Sequence, residues 1–312
     1  MLVSRRVLIA GLAGTGFGLC GFVPAARAGV VDLSPEQPGR LHASRNDAAI
    51  ALVPTTFDFV TPGTLTVGNA PSNPPLSTYA TDAETVVGNE PDIAWLLAES
   101  LGLKARIVPT AWADWPLGLQ SGKFDAVISN VTVTEERKAK FDFSTYRRDD
   151  LGFYVAIDSR ITSIREPKDV AGLRIIVSSG TNQEKVLLEW DRQNVAAGLK
   201  PVEFQYYQDE TLKALAIASG RADATLGPNA SAAYHAALKG DTRLVGIVNG
   251  GWPLFAEIAV TTRKGSGIAD AFTAAINGLI ASGVYARQLE RWNLQAEAIE
   301  VSRTNPPGLP KA

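Results

Sequence analysis

Ser121-Gly122-Lys123-Phe124-Asp125-Ala126 recurs further along the chain as Ser219-Gly220-Arg221-Ala222-Asp223-Ala224. In both copies a helical pattern stops at glycine, a basic residue follows, and an apolar strand begins directly after aspartate. Glycine just past a helix supplies the left-handed residue that closes its last turn. Such endings are common, so the hexapeptide alone decides little. Its surroundings decide more. Before and at the first copy, Thr64–Gly68 reads as a strand, and Ile93, Leu96, Leu97 and Leu101 fall at helical spacing after Pro91-Asp92. Ala105–Val108 then reads as a strand, Trp115–Gln120 as a helix and Ala126–Ser129 as a strand. The second copy closes the same series: strand Arg174–Val177, helix Gln183–Ala196, strand Val202–Tyr206, helix Thr211–Ala218, strand Ala224–Leu226. Strand–helix alternation predicts an α/β fold with mainly parallel pairing and helices on both sheet faces. The restart predicts two similar lobes.

Lobe 1 is expected over residues 61–156 and 260–300, lobe 2 over 157–259, with hinges near Val155–Asp158 and Ala256–Val260. The helices Ile268–Ala281 and Tyr285–Trp292 are expected to return to lobe 1. Residues 29–60 carry Pro35, Pro38, Gly39 and Pro54 with little periodicity, and read as a leader draped on the surface. The tail 301–312 has three prolines and reads as extended. Residues 1–28 have the charged, apolar and small-residue order of a secretory signal ending at Ala26-Arg27-Ala28. Ser4-Arg5-Arg6 resembles a twin-arginine export signal. Cleavage after Ala28 and a periplasmic location are expected. A lipid anchor at Cys20 is disfavoured by Gly18-Leu19 before it.

Removal of 1–28 takes away three arginines and no acid, so the formal charge becomes 27 − 32 = −5. That balance gives no basic surplus for nucleic acid or an anionic membrane. The single cysteine, Cys20, leaves with the signal, which excludes disulfides, thiol catalysis and cysteine metal sites from the mature chain. No cofactor and no metal are expected, and a monomer is.

Open α/β sheets bind ligands beyond the carboxyl ends of their strands. The richest such stretch is Ser129-Asn130-Val131-Thr132-Val133-Thr134-Glu135-Glu136-Arg137. Thr134 with two acids after it looks like a helix start, where free N–H groups and the dipole favour an anion. Arg137 lies one turn in and could fork onto a carboxylate. Residue types alone leave an equal alternative, a capped surface helix whose Arg137 pairs with Glu136.

The stretch resembles the signature of the bacterial extracellular solute-binding proteins, family 3, which serve polar amino-acid importers. Thr134-Glu135-Glu136-Arg137 followed by Asp142-Phe143-Ser144-Thr145-Tyr146 carries the resemblance. Gly88-Asn89-Glu90-Pro91-Asp92, Leu101-Gly102-Leu103, Trp112, Gly172-Leu173-Arg174 and Gly180-Thr181-Asn182-Gln183-Glu184 extend it from about Thr64 to Trp292. It implies the two-lobed periplasmic binding protein type II fold, with mixed sheets and a cleft that closes on an amino acid. It further implies delivery to the membrane permease of an ABC importer, with no chemistry on the ligand. Arg137 would hold the ligand carboxylate, helped by backbone N–H groups near Thr132 and Asn182, with Thr181 in the same loop. Ser129, Asn130 and Thr132 would meet polar atoms, and Trp112 would form an apolar wall. The chain departs from the pattern at three places, the first being the absence of the usual proline in Asp142-Phe143-Ser144-Thr145-Tyr146. Asn73 stands before Pro74-Pro75-Leu76 where an aromatic is usual. Gly227-Pro228-Asn229 stands where an acid usually meets the ligand ammonium. Either Glu90 reaches the cleft and replaces that acid, or the ligand has a weakly charged or absent ammonium; Asn229 is a neutral binding candidate at the departure itself.

Two rival readings share the fold: a cleft enzyme of the cyclohexadienyl dehydratase type using Glu90, and a ligand module for a membrane sensor. His42 and His235 are the only histidines, and neither has Ser or Asp at triad-like spacing. No catalytic residue is assigned.

Overall fold

The computed structural model describes residues 31–71, 74–207 and 209–310. The expected signal segment with its cleavage site, and Asn73, lie outside them. In chain order the elements are α1 (Asp47–Ile50), β1 (Thr64–Asn69), β2 (Thr78–Tyr79), β3 (Val86–Val87), α2 (Asn89–Ser100), β4 (Lys104–Pro109), α3 (Trp115–Gln120), β5 (Ala126–Val127), α4 (Glu135–Lys138) and β6 (Phe141–Arg148). Then follow β7 (Asp150–Ala156), β8 (Arg174–Val177), α5 (Asn182–Ala196), β9 (Glu203–Tyr206), α6 (Glu210–Ala218), β10 (Ala224–Pro228), α7 (Asn229–Lys239) and β11 (Thr242–Asn249). The chain ends in β12 (Glu257–Arg263), α8 (Ala269–Ala281) and α9 (Val284–Arg291).

Two five-stranded sheets form, in the orders β4-β1-β5-β12-β6 and β11-β7-β10-β8-β9. Each begins as a parallel triplet, β4-β1-β5 or β9-β8-β10, and continues with two strands in antiparallel pairing. The sheets are therefore mixed. Each lobe has its own core, one around Leu65, Val67, Ile93, Leu97 and Phe272, the other around Phe153, Ile175, Leu187 and Trp190.

Both copies of the hexapeptide fold alike, and the aspartate explains the repeat. Gly122 and Gly220 take φ of +78° and +65° and close α3 and α6. The Asp125 N–H then donates to Thr66 O (2.8 Å), and the Thr66 N–H donates back to the Asp125 carboxylate (2.7 Å). Asp223 makes the same pair with Arg174, at 2.8 and 2.9 Å. Each aspartate thus locks the third strand of a triplet beside the first, with Val67 opposite Ala126 and Ile175 opposite Ala224. Asp125 is fully buried and also accepts the Val60 N–H (2.8 Å). Asp223 is half-buried and also takes the Arg174 guanidinium.

The sequence misplaces the first crossing between lobes. β6 lies in the first sheet and β7 in the second, so the chain changes sheet at Asp149 rather than near Val155–Asp158. Residues 150–156 belong with lobe 2. The apolar run either side of Arg147-Arg148-Asp149-Asp150 has no proline or paired glycine to mark the break, so the pattern reads through it. The return crossing runs through residues 250–256, and the first sheet resumes at Glu257, ahead of the expected 260.

Residues 31–60 are more than a surface leader. Ala49 is fully buried, and Ile50, Val53, Phe57 and Phe59 pack against the first core. Their spacing follows no regular period because most of them lie outside helix or strand. The tail runs beside β6, the edge strand of the first sheet. Thr145 N–H donates to Arg303 O, Asn305 N–H to Phe143 O, and Ser144 bridges Thr304 antiparallel.

Asp125→Ala should cost roughly 1–3 kcal/mol of stability, because the buried Thr66 N–H loses its acceptor, together with the part-buried Val60 N–H. Asp223→Ala should cost less, since its carboxylate is partly open to water. Urea unfolding of the two variants measures both; equal losses would contradict the burial argument.

Candidate functional site

The carboxyl ends of four strands meet at one cavity of about 270 Å³. Ala70 follows β1, Ser129 and Asn130 follow β5, Ser178 follows β8, and Gly227 and Pro228 end β10; all line it. The repeat places two such strand ends in each lobe, so the cavity lies between them.

Glu90 lines the cavity from the first turn of α2 and is only 2% exposed. Asn69 Nδ2 donates to Glu90 Oε2 (3.2 Å) and the Tyr146 hydroxyl to Oε1 (3.3 Å). Burial raises the Glu90 pKa, and nearby Arg147 partly opposes this. Asn69 is itself held by Ile128 O (2.6 Å) and by Ser77. Glu90 thus stands on a pre-set polar floor. Glu90 and Asp241 are the carboxylates lining the cavity among the described residues. The β10 end offers none, in line with the Gly227-Pro228 departure seen in the sequence.

Asn130 lines the cavity in the left-handed region, at φ +50°. Arg147 Nη2 donates to its Oδ1, and its Nδ2 donates to Asp149 Oδ1 (3.4 Å). Ser129 also lines the cavity, its Oγ accepting the Ala70 N–H (2.9 Å). Trp112 forms part of the wall. These three and Glu90 are brought together at one cavity.

Thr132 and Arg137 are not. Thr132 is fully buried behind the wall, and its hydroxyl donates across the lobes to Asn182 Oδ1 (2.8 Å). Arg137 donates to Thr132 O (2.9 Å) and, across the lobes, to Gly180 O (3.4 Å), and its guanidinium lies 5.7 Å from the Trp112 ring centre. Neither residue lines the cavity. Among the described residues no carboxylate forms an ion pair with Arg137; Glu136 pairs with Lys185 instead (2.7 Å). Burial lowers the Arg137 pKa to about 10, so it is charged at neutral pH. The expected anion cradle at α4 is also taken. The Glu135 N–H donates to Leu309 O (2.8 Å) and the Gly308 N–H to Glu135 Oε1 (2.7 Å), so the tail covers that helix start.

In the second lobe, Thr181, Asn182 and Gln183 bring the start of α5 to the cavity. The Thr181 hydroxyl caps the helix, accepting the Glu184 N–H (3.3 Å) and donating to Ser178 O (2.6 Å). Asn182 uses its side chain on Thr132, Asp149 (3.4 Å) and Gly250 O, so its backbone is what it presents to a ligand. Asn229 does not line the cavity; its Oδ1 accepts the hydroxyl of Tyr154, which does (3.1 Å). Burial pushes Tyr154 up to about 12, so it remains a neutral donor.

The sequence reading missed Tyr154, Ser178, Ser231 and the α6 and α7 residues of the cavity wall. Tyr154 lies on β7, whose lobe was misread. Ser231 and the α7 residues follow a strand end, and that position was the signal available. Among the described residues no group of three His, Cys, Asp or Glu is placed to hold a metal.

Comparison with known proteins agrees with this architecture. L-cystine-binding protein TcyJ of Escherichia coli (strain K12) is 37% identical over 165 residues, which is 53% of this chain and 58% of that protein. The match therefore spans little more than half of the relative's length. Cyclohexadienyl dehydratase of Pseudomonas aeruginosa is 29% identical over 164 residues, 52% of this chain and 58% of that one. A solved ancestral arginine-binding protein bound to arginine, 28% identical, superposes with a TM-score of 0.63 over 74% of this chain and 98% of its own. The profile of one family matches residues 65–295, most of the chain. The chain belongs to the bacterial extracellular solute-binding proteins, family 3.

Proposed function

We propose that this protein is exported and captures an amino acid or amino-acid-like small carboxylate between its lobes for an ABC importer. One observation carries the reading: the inter-lobe cavity has a buried carboxylate, Glu90, on one wall and the start of the fifteen-residue helix α5 on the other. A zwitterion needs one site of each sign. Its ammonium is costly to bury unless paired, and Glu90 supplies the anion that Gly227-Pro228 lacks. Its carboxylate suits the N–H groups and positive dipole end of α5. Arg137, charged and desolvated beside Trp112, adds positive potential behind that wall and ties it to Gly180. Cystine-, arginine- and histidine-binding names among the relatives support the ligand class. Export with cleavage after Ala28 and a monomeric state belong to the same reading.

Glu90, buried on the cavity wall with its pKa raised by that burial, also favours a second reading, an acid catalyst of the dehydratase type. Turnover of cyclohexadienyl substrates by the purified protein, lost in Glu90→Gln, would establish it in place of simple capture.

Arg137→Ala should weaken binding, because it removes the positive potential behind the α5 wall and the tie between Thr132 O and Gly180 O. Calorimetry that finds the affinity unchanged would refute its role. Lys185→Ala, which breaks the exposed pair with Glu136, should change affinity little.

Glu90→Gln should abolish binding of an unmodified amino acid, while Asn229→Ala should be milder. Normal binding by Glu90→Gln, with N-acylated ligands bound best, would mean that the ammonium is not what Glu90 meets. The same substitution should stabilise the empty protein. Burial raises the folded-state pKa above the ordinary 4.5. Below about pH 4.5 the carboxyl is protonated in both states, and the fold carries no penalty. As pH rises through the folded value, the fold must hold a charge that water holds better, and stability falls. The melting temperature of Glu90→Gln should therefore pull ahead of wild type as pH rises from about 4 to 7. A gap independent of pH would sink the argument.

A further inference from the structure

The second sheet has two faces, and they are packed very differently. Leu151, Phe153, Val155, Ile175, Val177 and Leu226 belong to the core built around Trp190. The alternate residues on the same strands, Tyr154, Ile176 and Thr225, face α6 and α7. The cluster on that side contains only Ile176, Ala216, Ile217 and Ala222 among its buried members. The reason lies in the helices. α6 turns Leu212 and Leu215 to solvent, 49% and 52% exposed, and sets Ala214 toward the sheet. α7 turns Leu238 out, 67% exposed, and sets Ser231 and Ala232 inward. A helix that exposes leucine and faces the sheet with alanine inverts the pattern that packing favours. The space left beneath the helices costs stability that larger inward side chains would recover.

That space is continuous with the ligand cavity. The same void that touches Glu90 and Ser129 also touches Ile176, Ala214, Ile217, Thr225 and Ala232, with Lys213, His235, Lys239, Asp241 and Thr242 lining it as well. Tyr154, held by Asn229, stands between the two parts. Local rules broken in this way, at a cost and next to a binding site, mark function.

We propose that this gallery between the second sheet and α6/α7 is a side-arm subsite, so that the ligand is an amino-acid-like molecule carrying an extended apolar arm. The inference rests on the reading of the cleft as an amino-acid site. The head lies at Glu90 and the start of α5; the arm passes Tyr154 and lies against Ile176, Ala214, Ile217 and Ala232. Small residues on both helices give the arm its room. The absence of a second-lobe acid at Gly227 keeps the entrance neutral, which suits methylenes better than an ammonium.

The test is isothermal calorimetry with L-alanine, L-norvaline, L-norleucine and L-2-aminooctanoate, which share one head and differ in arm length. In wild type the Kd should tighten about fourfold per added methylene, as burial of each CH₂ requires. In Ala214→Phe, which fills the gallery, that dependence on length should vanish. No gain with length in wild type, or an undiminished gain in Ala214→Phe, overturns the proposal. If no member of the series binds wild type, the head-group reading fails, and the gallery is tested alone with n-hexanol. NMR shifts at Thr225 and Ala232 that saturate with n-hexanol uphold the subsite, and their absence removes it. Should Ala214→Phe not fold, Ala232→Leu fills the same space from α7 and is read against the same slope.

Discussion

A buried arginine sits where the chain first passes from one sheet to the other, and the geometry of the cavity depends on it. Arg147 is fully enclosed, with its guanidinium on Glu297, on Asn130 and on the Arg148 carbonyl. A charge so placed must be paired, because its desolvation is far larger than any one contact. Its partners are therefore fixed: Glu297 belongs to the turn after α9, and Asn130 to the rim of the cavity. Two residues on, Asp149 accepts from Asn130 and from Asn182, one on each side of the cleft. Asn130 holds a left-handed backbone that a non-glycine residue rarely adopts, and these hydrogen bonds hold it there. Crossing, cavity rim and second-lobe loop form one polar unit. A change at the crossing reaches the ligand walls without passing through either core.

Much of this was legible in the sequence, and the limits have physical causes. The repeated hexapeptide marked two equivalent units because one interaction, aspartate to the first strand's backbone, recurs in both. Ser129, Asn130, Trp112 and Glu90 follow strand ends or start a helix, positions that local pattern reveals, and they line one cavity. Arg137 and Thr132 match the family motif, yet the structure uses their hydrogen bonds to tie the lobes together. Which partner a side chain chooses across 40 or 50 residues is a tertiary fact that spacing does not carry. Arg147 and Asp149 escaped notice for the same reason. In a string they look like part of an exposed charged turn, and only the change of sheet buries them. Tyr154 was lost with the misplaced boundary, since a strand assigned to the wrong lobe takes its side chains with it.

The two walls of the cavity also differ in kind. The first lobe offers a rigid polar floor, where Asn69, Ser77, Tyr146 and Glu90 satisfy one another. The second offers helix-start backbone and small side chains with room behind them. In the proposed reading the ammonium of a ligand meets lobe 1 and its carboxylate lobe 2, and the room for what is attached lies in lobe 2. In a family whose members share a head group and differ in side chain, such a division lets one half of the molecule stay constant while the other varies.

The C-terminal tail has a consequence for how the molecule behaves in company. β6 is an edge strand, and an uncovered edge presents unpaired N–H and C=O groups that a second chain can extend. Residues 303–305 pair with that edge, and Gly308 and Leu309 continue onto the start of α4. Residues 303–309 thus act as a cover strip. A copy clipped there by a protease would bare the β6 edge, a margin that a second chain can extend.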